Sequence, residues 1–375
     1  LGVKIQKLSP SKIGLDASGD LDLSHIDKHA SEATRSSLLL LGALASRPGS
    51  YKLFKSGGCR LGERTVRPHL YALENFGVQV VSKQKFYEVT NNRLKSAVVV
   101  MYESGDTPTE NAIMAAVLSP GKSIIRMASA NYMAQDLCYF LQKAGAKING
   151  IGTTTLTIEG VKTLKPVVDY SIMPDPIVAM TFLAAAIVTK SHITVKNCPL
   201  DFLDLELCKL EKMGQKLQVK NERKFSGGHF RMADIEVWPS KLRALPDKIY
   251  GRPFPGLNID NLPLFVPILA TAKGRTLVHD WAYENRAVYF LELQKLGANI
   301  ILLDLHRAWV EGPTAFKANE VVCPPALRPA VNVLIGMLAA KGKSILRNTY
   351  TIDRGYENLY ETLNKAGADI IVKND

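Results

Sequence analysis

The sequence predicts an α/β architecture of two domains, each assembled from duplicated helix–strand units packed around shared helices. Three observations carry this. The chain has 375 residues, 46% of them hydrophobic and 22% charged, an ordinary globular composition with enough length and apolar content for two cores. A segment in which a helix ends in Leu, turns at Gly and restarts as a strand recurs along the chain. A second pattern, small residues feeding a β-branched strand, alternates with the first.

The first pattern appears at Leu73–Gly77–Val78, Leu141–Gly145–Ala146, Leu210–Gly214–Gln215, Leu293–Gly297–Ala298 and Leu363–Gly367–Ala368, with Leu1–Gly2–Val3 as the tail of a sixth copy. Successive glycines are 75, 68, 69, 83 and 70 residues apart. Each copy reads as a helix closed by a left-handed Gly, then a strand. The second pattern appears at Gly121–Ile125, Lys190–Val195, Gly274–Val278 and Gly342–Leu346. One Leu-x-x-x-Gly is merely how many α/β helices end. Six at near-constant spacing indicate repetition of a whole supersecondary unit. Read this way, the first copy opens at its final strand, as in an N-terminally truncated chain. The expected boundaries are 1–172 for a first domain, lacking the start of its repeat, and 173–375 for a second.

The bulk numbers exclude several classes. No apolar run reaches the roughly 18 residues a membrane span requires; the longest, Ile177–Val188, is too short. Leu1-Gly2-Val3-Lys4 does not open a signal peptide, so a cytoplasmic location is expected. Five cysteines (Cys59, Cys138, Cys198, Cys208, Cys323) with no Cys-x-x-Cys pair argue against a disulfide framework and against a zinc site. No metal or cofactor is expected. The formal charge of +12 favours anionic partners, but the basic residues are spread along the chain, so a nucleic-acid reading rests on charge alone.

Three stretches carry candidate chemistry. Ser56-Gly57-Gly58-Cys59-Arg60-Leu61-Gly62-Glu63-Arg64 reads as a mobile glycine-rich loop. Its Cys59 lies between Arg60 and Arg64, a setting that stabilises a thiolate and suits a nucleophile or proton donor; a tight turn with an incidental Cys is the plainer alternative. Arg252–Asn261 joins a Pro/Gly-rich segment to an apolar helix, and its Asp260 is either the N-cap of that helix or a base in a cleft. Arg354 in Ile352-Asp353-Arg354-Gly355-Tyr356-Glu357, and Arg328 at a predicted helix start, are each placed to grip a phosphate or carboxylate, or simply to form a surface ion pair.

Gly57–Arg64 with His69 resembles the Gly-Gly-Cys-x-x-Gly-x-Arg-Pro signature of the UDP-N-acetylglucosamine enolpyruvyl transferases. Arg35, Gly150–Val161, the Phe254–Asp260 loop, Glu284-Asn285-Arg286 and Ile352–Glu357 follow the same family in order, over nearly the whole chain. The resemblance implies a two-domain inside-out α/β barrel of βαβαββ units. It implies transfer of enolpyruvate from phosphoenolpyruvate to UDP-N-acetylglucosamine, both small-molecule partners. Cys59 would be the acid and adduct site and Asp260 the base. Arg64, Arg328 and Arg354 would hold phosphoenolpyruvate. Arg35, Arg64, Thr65, Val66, Asp260 and Ala282 would contact the nucleotide sugar.

This sequence departs from the family chiefly on the nucleotide-sugar side and at the hinge. The family's Asp is Arg67 here, beside Thr65 and Pro68; its diphosphate-facing Ser-Val-Gly-Ala-Thr loop reads Gly105-Asp106-Thr107-Pro108-Thr109; an Asp ahead of Arg328 is Ala326; the hinge reads Pro174-Asp175-Pro176. The alternatives are an enolpyruvyl transferase with another acceptor, or an inactive paralogue that binds an anion. The sister enzyme of shikimate phosphate lacks a Gly-Gly-Cys loop, so Cys59 argues against it.

Overall fold

In the computed structural model, residues 1–55, 65–225, 227–284 and 286–373 are described. They divide into two compact units that meet in sequence between Tyr170 and Ser171.

The first unit contains the hairpin β1 (Lys4–Ser9) and β2 (Lys12–Asp16), then α1 (Lys28–Ala33), α2 (Leu40–Ala43), β3 (Gly49–Phe54), α3 (Arg67–Asn75), β4 (Val78–Ser82) and β5 (Phe86–Asn91). It ends with β6 (Val98–Val100), α4 (Asp106–Val117), β7 (Lys122–Arg126), α5 (Tyr132–Lys143), β8 (Lys147–Asn149) and β9 (Thr155–Glu159). That last stretch is a full βαβαββ unit with strand order β6-β7-β9-β8. Its first pair is parallel and the other two antiparallel. The stretch from β3 to β5 forms a three-stranded sheet in the order β3-β5-β4.

The second unit repeats the plan. It runs α6 (Pro176–Thr189), β10 (Ile193–Pro199), α7 (Asp204–Lys212), β11 (Leu217–Lys224), β12 (Arg231–Val237), then β13 (Ile249–Tyr250), α8 (Leu262–Thr271), β14 (Gly274–His279), α9 (Val288–Lys295), β15 (Asn299–Leu302) and β16 (Arg307–Gly312). It closes with β17 (Glu320–Val322), α10 (Leu327–Leu338), β18 (Ile345–Arg347), α11 (Tyr350–Asp353) and α12 (Leu359–Lys365). The order β13-β14-β16-β15 reproduces β6-β7-β9-β8, again with one parallel and two antiparallel pairs.

The sequence repeat has a physical cause. Gly77, Gly145, Gly214, Gly297 and Gly367 all have positive φ, from 87° to 104°. The carbonyls of Leu141, Leu210, Leu293 and Leu363 each accept the N–H five residues on. This is a Schellman closure, in which the repeat's Leu supplies the acceptor and its Gly the left-handed turn. Four of these glycines lead into strands; residues after Gly367 form none among those described.

In each unit the central helices, α4 in the first and α6, α8 and α10 in the second, are buried almost throughout. In the second unit α6, α8 and α10 pack on one another. Leu262 to Ala270 of α8 and Pro329 to Met337 of α10 are buried without interruption. A helix apolar all round must be enclosed on every side. Strand β9 alternates instead: Leu156 and Ile158 are buried while Thr155 and Glu159 face out, so this strand turns one face only to the core. In the first unit α4 takes the central place, touching α2, α3 and α5. The apolar run at Ile177–Val188 is core helix α6, and no described helix is long and apolar enough to cross a membrane.

Candidate functional site

In the second unit, the loop after β13 is held so that its last acidic residue meets two guanidinium groups. The loop doubles back on itself: the Arg252 N–H donates to the Leu257 carbonyl at 2.8 Å, and that of Gly256 to Pro253 at 2.9 Å. Its mouth is narrow, since a Cβ on Gly251 would lie 2.8 Å from the Ile259 Cα. Trp281 donates its indole N–H to the Gly251 carbonyl at 2.7 Å. From α7, buried Glu206 accepts the Asn258 N–H at 3.2 Å and the Asn261 amide at 2.9 Å. Burial raises the Glu206 carboxyl above its ordinary value, while these hydrogen bonds favour its charged form.

Asp260 is not the helix N-cap. That place falls to Asn261, which makes no capping bond. The Asp260 carboxylate instead accepts from Arg286 Nη1 at 3.0 Å and lies 3.5 Å from Arg328 Nε. A guanidinium pair offers charge as well as hydrogen bonds, which outweighs a single backbone cap. About a third of Asp260 remains exposed, against 1% for Arg286.

Arg286 is itself committed on every side. Its Nε donates to both oxygens of fully buried Asp280 at 2.9 and 3.1 Å, and Nη2 to Asp280 at 2.6 Å and to the Ile259 carbonyl at 2.8 Å. Tyr289 from α9 adds a hydroxyl bond to Asp280 at 3.1 Å. Burial alone would lower the Arg286 pKa; the Asp280 charge more than reverses this, and the guanidinium stays protonated.

Arg328, in the first turn of α10, donates Nη1 to the Tyr356 hydroxyl at 2.7 Å. Tyr356 in turn meets Thr181 of α6 at 2.9 Å, and Thr181 donates to the Ile177 carbonyl at 2.9 Å. The chain of donors has one direction: guanidinium to phenol, phenol to threonine, threonine to backbone. Burial raises the Tyr356 pKa, so the phenol keeps its proton. Arg354, at the end of α11, is exposed, and its guanidinium makes no ion pair with the described residues. Ala282 is half-buried in the turn between Asp280 and Arg286.

In the first unit, Arg35 donates to the Thr65 carbonyl at 3.2 Å, so two of the residues expected on the nucleotide sugar adjoin. Val66 packs on the core at the start of α3. His69 is buried, with Nδ1 2.9 Å from the Asn111 amide nitrogen. Burial and the Arg35 charge push it down to about 4, so it is neutral. Cys59 and Arg64, with the whole Ser56–Arg64 loop, lie outside the described residues.

Sequence reasoning assigned no role to Asp280, Arg286, Tyr356 or Glu206. The signals were Glu284-Asn285-Arg286 and Ile352–Glu357 as family matches, which include Arg286 and Tyr356 without a role. A buried arginine is legible only once its carboxylate partners are known.

The family model for EPSP synthase (3-phosphoshikimate 1-carboxyvinyltransferase) matches residues 1–363. The chain is 31% identical to the UDP-N-acetylglucosamine 1-carboxyvinyltransferase of Bacteroides fragilis, over 99% of this chain and 86% of that protein. It is 36% identical to the enzyme of the same name from Campylobacter hominis, over 90% and 77%. In structure it is similar to the enolpyruvyl transferase NikO from Streptomyces tendae, with a TM-score of 0.83 at 22% identity, over 98% of this chain and 84% of that one.

Proposed function

The chain belongs to the EPSP synthase family of enolpyruvyl transferases, and from that premise we propose that it moves enolpyruvate from phosphoenolpyruvate onto the 3-hydroxyl of UDP-N-acetylglucosamine. This is the first committed step of peptidoglycan precursor synthesis, and we assign it to the cytoplasm. The reading draws on relatives of that name at 31% and 36% identity. The observation that carries its chemistry is Asp260, held between Arg286 at 3.0 Å and Arg328 at 3.5 Å with one flank open to solvent.

In this mechanism the Cys59 thiol protonates the methylene carbon of phosphoenolpyruvate. The sugar hydroxyl adds to the central carbon and gives its proton to Asp260. Inorganic phosphate then leaves, and the proton taken up at the methylene carbon is released to restore the enol ether. Arg64, Arg328 and Arg354 hold the phosphate and carboxylate; Arg35, Thr65, Val66 and Ala282 face the nucleotide sugar. Each charge-assisted bond contributes about 1.5 to 3 kcal/mol.

A second reading, with a different acceptor, is favoured by Asp106. It occupies the first turn of α4, and its carboxylate accepts from Ser129 Oγ at 2.5 Å and from Asn131 Nδ2 at 3.0 Å. A helix N-terminus attracts anions. Here the protein's own carboxylate fills a position that the family resemblance gives to a loop facing the diphosphate.

The test is phosphate release from phosphoenolpyruvate with each acceptor, alongside intact-mass analysis after fosfomycin, an epoxide that mimics phosphoenolpyruvate. Release with UDP-N-acetylglucosamine, and a single adduct at Cys59 that this sugar accelerates, supports the first reading. An adduct without release, and release with an acceptor that carries no diphosphate, supports the second. No adduct and no release with any acceptor sinks both.

A further inference from the structure

We propose that the outer face of the sheet β3-β5-β4 docks the protein on an anionic lipid surface, with its lysines among the headgroups and its aromatic pair at the edge of the acyl chains.

Lys and Arg are spread along the chain, but the uncompensated charge is not. Residues 47–95 hold ten of them against Glu63, Glu74 and Glu88, so this stretch carries +7 of the chain's +12. Arg60, Arg64 and Arg67 lie in or next to the Cys59 loop. The rest are Arg47, Lys52, Lys55, Lys83, Lys85, Arg93 and Lys95, and the fold collects them on and around one sheet. Its strands alternate as a single covered face requires. Tyr51, Leu53, Tyr87 and Val89 are buried, while Lys52, Phe54, Val81, Phe86 and Glu88 point the other way.

Register sets Phe54 opposite Phe86, and places Lys52 and Val81 on either side of Glu88. The β4–β5 turn carries Lys83 and Lys85 to the Phe54–Phe86 end, where the Lys83 N–H donates to the Phe86 carbonyl at 2.9 Å and the Lys55 N–H to the Lys85 carbonyl at 3.1 Å. Three ammonium groups lie over rings: Lys28 of α1 is 6.0 Å from the centre of Phe54, Lys52 5.1 Å from Phe86 and Lys55 5.3 Å from Tyr87. The carboxylates paired with these lysines are Glu88, 3.6 Å from Lys83, and Glu32, 3.9 Å from Lys28, with all four side chains about half exposed. Pairs so open to water are weak. Five lysines against two carboxylates leave the face positive.

Charge complementarity calls for a polyanion, and the chemistry of the face selects lipid over nucleic acid. A run of bases needs open aromatic faces to stack on, and phosphate readers favour the guanidinium fork. Here Phe54 and Phe86 are half-buried beneath ammonium groups, and the five cations ringing them are all lysines. Lysine stems along apolar rings with their heads turned outward, beside a Val81 that is 51% exposed, match a headgroup layer above acyl chains. Such docking is reversible and needs no spanning helix. Each lysine near the surface strengthens it about fivefold, and the attraction fades beyond a Debye length, about 10 Å in 0.1 M salt and 3 Å in 1 M.

The experiment is co-sedimentation of the intact chain with phosphatidylcholine vesicles, with and without a third of phosphatidylglycerol. Binding is expected only with phosphatidylglycerol, and is expected to vanish in about 1 M salt. The triple variant Lys52→Gln, Lys83→Gln, Lys85→Gln should bind on the order of a hundredfold more weakly. A control triple, Lys212→Gln, Lys216→Gln, Lys241→Gln, removes the same charge from exposed positions of the second unit and should bind like the parent. Thermal midpoints report folding; if the first triple does not fold, a fivefold loss in Lys85→Gln alone decides. Equal binding to neutral vesicles, a first triple that binds like the parent, or equal losses in both triples overturns the proposal. So does an oligothymidylate that binds more tightly than the vesicles and is lost with the first triple, which reassigns the face to single-stranded nucleic acid. Phosphate release from phosphoenolpyruvate without vesicles should be equal in all three proteins, so failure of lipid binding leaves the enolpyruvyl transfer untouched.

Discussion

Replacing Glu110 by Gln should make stability depend less on pH, by an amount the structure sets. Glu110 lies on the buried face of α4, 7% exposed. Burial first, and the neighbouring Asp106 charge second, raise its carboxyl from 4.5 to about 7. Below pH 4.5 the group is protonated whether folded or unfolded and costs nothing. Between 4.5 and 7 the unfolded chain releases the proton while the folded one keeps it, so stability falls as pH rises. Above 7 the loss is complete. At about 1.4 kcal/mol per pH unit, this comes to about 3.5 kcal/mol. Glutamine removes the titration while keeping the shape. The variant should match the parent near pH 4 and exceed it by about 1 to 3 kcal/mol at pH 8, the lower end allowing for an amide that must still find partners. Urea unfolding at a series of pH values, followed by fluorescence and circular dichroism, reads this directly. A stability difference that is constant across pH, or largest in acid, would refute the reasoning.

Two further outcomes are expected. Gly42→Ala should destabilise by about 1 to 3 kcal/mol, because its Cβ would meet the Asn111 side chain at 2.6 Å and the Asn111 Cα at 2.7 Å; a thermal midpoint equal to the parent's would show that the two helices can separate freely. His69→Gln should protect against acid. The imidazole is held down at about 4 against 6.5, so its stabilising share is whole above pH 6.5 and fades as pH falls through 4. An acid unfolding midpoint unmoved by the substitution counts against that account.

What the sequence revealed was local. The Leu-x-x-x-Gly copies are legible because both parts of the closure, the accepting Leu carbonyl and the left-handed Gly, lie within five residues of one another. Arg328 at a helix start and the Arg252–Asn261 loop are legible for the same reason. The partner of Asp260 was not. A short polar residue ahead of an apolar helix looks like a cap, and only the fold brings Arg286 and Arg328, 26 and 68 positions further along, to the same carboxylate. Asn111 was invisible likewise: its one amide serves the Gly42 N–H, the Leu38 carbonyl and His69, none of them near it in sequence.

The one-way run of protons from Arg328 through Tyr356 and Thr181 ends on the backbone of α6. A group expected to seize a solvent-borne anion is thus moored to a buried helix of its unit. Any repacking that slides or rotates α6 would be felt at the guanidinium as a change of aim. Apolar substitutions in that helix, remote from any ligand, are therefore a route by which affinity can drift while every ligand-facing side chain stays the same.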